Sequence, residues 1–134
     1  MFQVIDMHCD TIPALQWKEK QEHLADADLQ INLDKLEKGG SLCQCFSLFT
    51  FLKGLKDETP FEHVRKLADL WKSEVERYPD RICQIKTYAD LMQVQKEGKI
   101  GAVITVEEGC VYRKTAHTVR SRCADFHADL ELSE

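Results

Sequence analysis

Apolar and polar positions along the chain alternate between two kinds of block. Residues 3–9 (QVIDMHC) read as a strand in which Val4 and Ile5 run into Asp6, and nearly continuous apolar runs stand at 41–51 (SLCQCFSLFTF) and 99–106 (KIGAVITV). Runs of this length and composition predict strands of the buried kind. The segments between them carry helical spacing. Thr59-Pro60-Phe61-Glu62 forms a capping box with proline at the first helical position. Phe61, Val64, Leu67, Leu70, Trp71 and Val75 follow on one helical face until Pro79 stops the run. Thr87 caps a second helix over YADLMQVQKE, closed by Gly98, and INLDKLEKGG reads as a short helical segment ended by Gly39 and Gly40. After Pro13, ALQWKEKQEHLADA is mostly polar and fits a helix or a loop.

Strand, helix, strand, helices, strand is the order of a parallel α/β fold. Such sheets carry their functional residues at the C-terminal ends of the strands. The first run, VIDMHCDT, puts His8 and Asp10 two residues apart, which in a continuing strand places both side chains on one face. An imidazole and a carboxylate converging on one point suit a divalent metal such as zinc. The third run ends on Glu107 and Glu108 at the same edge, within reach of the same cluster. Taken alone, a His-x-Asp is short enough to arise by chance, and the two glutamates read equally as a solvated strand end. His63 reads as solvated surface on the polar flank of its helix.

With 134 residues the chain fits one ordinary domain, and its 43% hydrophobic content supports a core. A net charge of -5 without a basic stripe argues against nucleic acid as a partner. No apolar run approaches the roughly 20 residues of a membrane span. The first residues already read as a strand rather than a secretory signal, so the expectation is a cytoplasmic protein with no membrane partner. Six cysteines (9, 43, 45, 83, 110 and 123) are scattered, with one Cys-x-Cys and no Cys-x-x-Cys. They read as reduced, small core residues rather than a disulfide framework or a thiolate zinc site.

In order and spacing, VIDMHCDT, INLDKLEKGGSLCQCFSLF and YADLMQVQKEGKIGAVITVEEG resemble the opening of the renal (membrane) dipeptidases, the M19 metallopeptidases. The resemblance covers residues 2 to about 109. It implies an amidohydrolase-like (β/α)8 TIM-type barrel with two zinc ions at its C-terminal face, incomplete in this chain. By position, His8 and Asp10 would bind the first zinc and Glu107 would bridge both. Glu107 is preferred to Glu108 because the family's bridging glutamate directly follows the apolar strand. The implied chemistry is hydrolysis of a dipeptide by hydroxide formed at the two cations, one of which polarises the scissile carbonyl. Members often dimerise, so the resemblance also implies a homodimeric parent.

A barrel of this kind takes about 250 residues, and the family's later histidines and aspartate are absent here. After Gly109 the resemblance stops, and CVYRKTAHTVRSRCADFHADLELSE has no clear apolar period. Reading Val119 to Glu134 from the second base of each codon permits a run that contains Thr-Leu-Thr-Trp-Asn and ends Tyr-Pro-Asn, which suits the family. A shifted reading frame near residues 109 to 118 accounts for this. Residues 1–109 then form the N-terminal part of the metallo-dipeptidase barrel, and 110–134 an aberrant, poorly ordered tail. Under that reading the second His-x-Asp, at His127 and Asp129, is an accident of translation.

The expectation is therefore a zinc dipeptidase in the intact parent, with dipeptides as substrate, and an inactive fragment with a partial site here. Two alternatives of other classes remain at this stage. One is a small non-catalytic α/β binding module. The other is a thiol redox protein, which would lack the usual Cys-x-x-Cys nucleophile and resolving pair.

Overall fold

The computed structural model describes residues 2–107, apart from residues 27 and 56. Four strands, β1 (Val4–Asp6), β2 (Ser41–Leu48), β3 (Ile82–Gln84) and β4 (Ile100–Val106), form one parallel sheet in the order β1-β2-β4-β3. Between them lie α1 (Thr11–Gln16), α2 (Leu33–Lys38), α3 (Pro60–Arg77) and α4 (Tyr88–Glu97). The central strand β2 is buried from Leu42 to Leu48, which is why its sequence is predominantly apolar rather than alternating, with Gln44 and Ser47 as buried polar residues.

Alternate residues of β2 and β4 face two separate clusters. Phe46, Leu48, Ile100, Ala102 and Ile104 pack in the larger one with residues of α1, α2 and α3, including Ile12, Leu36, Leu67 and Trp71. Cys43 and Val103 face the other way, toward Ile85 and the α4 residues Leu91 and Val94. The chain passes from β2 through α3 out to β3, then returns through α4 to β4. Right-handed crossovers that run in opposite directions across a sheet put their helices on opposite faces. The α/β class and the parallel sheet agree with the sequence reading, and the described residues form an open sheet rather than a closed barrel.

The helix signals hold in detail. The predicted capping box is present, with Thr59 accepting from the Glu62 N–H, and the predicted Thr87 cap proves to be a capping box as well, accepting from the Asp90 N–H. Gly98 closes α4 at φ +69°, and Gly40, rather than Gly39, takes the left-handed position after α2 at φ +70°. Three expectations are corrected. The first strand ends at Asp6 rather than running to residue 9, and it is not buried. As an edge strand with a neighbour on one side, it leaves Val4 and Ile5 about half exposed. A fourth strand, β3, lies where none is expected from the pattern. His63 is mostly buried, its Nδ1 2.8 Å from Glu58 Oε1, rather than solvated.

A buried carboxylate ties the polar loop after α1 to α3. Glu74 is 2% exposed and accepts the Leu24 N–H at 2.6 Å, while His23 Nδ1 lies 2.9 Å and Arg77 Nε 3.5 Å away. Glu74→Leu leaves the buried Leu24 N–H without its acceptor. An expected loss of about 1–3 kcal/mol follows. It is read as a lower urea midpoint at unchanged m-value.

Candidate metal site

The loop that leaves β1 leans over the end of β2. Register pairs Asp6 with Gln44, and β2 continues four residues further, alongside β4, to Leu48 opposite Val106. The Ser47 N–H donates to the Cys9 carbonyl at 2.9 Å, so residues 7–10 follow β2 after regular pairing has ended. Glu107 is the first residue after β4. It stands two strands away from β1, about 10 Å in sheet spacing, and the lean of the loop closes that gap.

His8 is the centre of the resulting cluster. Its Nδ1 lies 2.8 Å from Glu107 Oε1 and its Nε2 3.4 Å from Asp10 Oδ2. The three side chains are 49%, 39% and 63% exposed for His8, Glu107 and Asp10, so solutes reach them directly. Asp10 occupies the N-cap position of α1 yet makes no side-chain cap bond, which leaves its carboxylate to face the imidazole. The expected juxtaposition is therefore present, although its cause is a turn and a helix start rather than strand alternation. Glu108 lies outside the described residues, as do Cys110, His117, Cys123, His127 and Asp129.

An imidazole and two carboxylates are a donor set that a zinc ion takes, and all three belong to one connected cluster. In the geometry present the imidazole spans the two carboxylates. Among the described residues, no group of three or more His, Cys, Asp or Glu side chains is arranged as a coordination shell. The donor types fit the metal, and its entry requires the imidazole to exchange one carboxylate contact for the ion.

The hydrogen bond to Asp10, reinforced by the charges of Glu107 and Asp10, raises the pKa of His8 above its ordinary 6.5. With the folded value above the unfolded one, the contacts of protonated His8 favour folding fully below the unfolded pKa. That contribution is lost as pH rises through the folded value. Zinc needs the neutral ring. Zinc affinity of the chain is therefore expected to rise steeply between about pH 6 and 8, as measured by competition with a chromophoric chelator. A flat profile would show that His8 is not a ligand.

The four cysteines among the described residues pack in or against the core. Cys9, Cys43 and Cys45 are buried, and burial pushes the Cys43 thiol up to about 11 and raises Cys9, Cys45 and Cys83 as well. Thiols held protonated at neutral pH are poor nucleophiles, so these four disfavour the redox alternative at the described residues. Sequence reasoning gave no role to Asp6, whose Oδ1 accepts the His8 N–H at 3.1 Å. The signal was an aspartate two residues before the histidine at a strand end, a spacing that favours a side-chain-bonded turn.

A parallel α/β sheet here carries a His-x-Asp loop against a glutamate at its C-terminal edge. The chain belongs to peptidase family M19, the membrane dipeptidase family, whose model matches residues 1–124. That match runs beyond Gly109, where the resemblance read from motifs stops. Membership supports a hydrolase of the dipeptidase type. No curated protein matches the chain. Among the described residues no helix is long and apolar enough to cross a membrane.

Proposed function

We propose that this chain forms the first part of a zinc-dependent dipeptidase, to which it contributes the ligands His8, Asp10 and Glu107. One observation supports the reading most. In a chain of family M19, His8 meets both carboxylates at the C-terminal edge of the parallel sheet. Zinc bound there would supply hydroxide at neutral pH and polarise the peptide carbonyl of a dipeptide. His8 and Asp10 would hold one ion through a loop fixed on β2, and Glu107 would bridge two ions from the end of β4. The partial exposure of the three side chains leaves a substrate carbonyl room to approach.

The three donors gathered among the described residues are fewer than a two-zinc centre takes, and the chain by itself is proposed to be inactive. The test is hydrolysis of a panel of dipeptides with added zinc. The 134-residue chain is compared with the product read in the alternative frame beyond codon 109. The reading predicts activity for the second product alone. Activity in the 134-residue chain would overturn its proposed inactivity. Inactivity of a folded, zinc-loaded alternative product would overturn the dipeptidase assignment.

A further inference from the structure

We propose that Asp6 is a positioning residue for the candidate metal site. By accepting the His8 N–H, its carboxylate sets the turn that aims the imidazole at Asp10 and Glu107. The proposal deepens the zinc reading above and rests on it for the metal-affinity part of its test.

The loop between β1 and α1 is held at two points. At its start, Asp6 Oδ1 takes the His8 N–H at 3.1 Å, a side-chain-to-backbone bond that turns the chain out of the strand. At its far side, the Cys9 carbonyl takes the Ser47 N–H at 2.9 Å, and the Cys9 side chain is buried in the core at 6% exposure. Met7, inside the turn, is 71% exposed, so its packing does little to fix the backbone. His8 stands between the two restraints. The buried Cys9 fixes one side of the loop, and the bond from Asp6 fixes the direction in which residue 8 leaves the strand. Asp6 acts on the backbone of His8 while the ring contacts the other two carboxylates.

An acceptor oxygen at this position is what the turn requires, and asparagine keeps one in the same place. Two variants of the 134-residue chain, Asp6→Ala and Asp6→Asn, therefore separate geometry from charge. Two readouts are taken: exchange of the His8 amide by NMR, with the Ser47 amide as internal reference, and Co2+ affinity from its visible absorption. Loss of a partner that orients a ligand typically weakens metal binding about 10- to 100-fold. Asp6→Ala is expected to show that loss and faster His8 exchange with Ser47 unchanged. Asp6→Asn is expected to stay within about twofold of the unsubstituted chain in both, because it keeps the turn.

Cobalt affinity lost equally in Asp6→Asn would make Asp6 a direct ligand or a charge effect and would overturn the proposal, whether or not Asp6→Ala folds. An unprotected His8 amide in the unsubstituted chain would overturn it too. If exchange follows the expected pattern but the unsubstituted chain binds no Co2+, the turn assignment stands and the metal reading falls.

Discussion

Replacing His8 by alanine is expected to abolish most of the zinc affinity of this chain while leaving its fold intact. His8 is the one residue in contact with both other proposed ligands, Asp10 and Glu107. Disturbing only the partner of a ligand costs about 10- to 100-fold in affinity, and losing the central ligand should cost at least as much. The side chain is 49% exposed and belongs to neither core cluster, so the urea midpoint should hardly move. His23→Ala is the control, because His23 contacts Glu74 of α3 and none of the proposed ligands. Equal zinc affinity in His8→Ala and the unsubstituted chain, by competition titration at pH 7.5 (about one unit above the reference histidine pKa), would remove His8 from the site.

The largest effect on stability is expected at Phe46. It is fully buried in β2, paired with Ile104 of β4 on one side, flanked by the loop after β1 on the other, and packed in the larger cluster. Phe-to-Ala changes in such positions cost about 3–5 kcal/mol, from lost transfer energy and the cavity left behind. Domains have only about 5–15 kcal/mol in total, and an open four-stranded sheet belongs at the lower end. Phe46→Ala should therefore lower the urea midpoint by a large fraction or leave the chain unfolded at 25 °C (the reference temperature of these magnitudes). Val103→Ala, on the smaller cluster and only partly buried, should cost clearly less. Equal costs would contradict the assignment of the larger cluster as the stabilising core.

The sequence made some of this legible and not the rest, for identifiable reasons. Helix ends were readable because their signals are local. Thr59 with Glu62, Thr87 with Asp90 and Gly98 each act within four residues of the element they bound. The centre of the sheet was readable because β2 and β4 are largely buried and predominantly apolar. The edges were not. β3 spans three residues, too few for a period, and is defined by what lies beside it: the Arg81 carbonyl accepts the Ile100 N–H and the Ala102 carbonyl the Ile85 N–H. Arg81 is held in turn by Asp34 and Glu37 of α2, more than forty residues away, which no local pattern reveals.

The site followed the same division. Its residue types and their place at the strand ends were visible in VIDMHCDT and in Glu107, and the resemblance to the dipeptidases singled out those three. The way they meet was not. Strand alternation was the wrong reason for His8 and Asp10 to converge, since the strand stops at Asp6. The convergence depends on the Asp6 turn, the Cys9–Ser47 bond and the uncapped Asp10, all of which need the loop in three dimensions.

X-ray absorption at the zinc edge, on the 134-residue chain loaded with less than one equivalent of Zn2+, tests the central assignment most directly. The predicted first shell holds nitrogen and oxygen at about 2.0–2.2 Å with the outer-shell scattering of an imidazole. The imidazole signature should disappear in His8→Ala. A sulfur shell at about 2.3 Å would place the ion on the cysteines instead and would contradict the assignment of His8, Asp10 and Glu107.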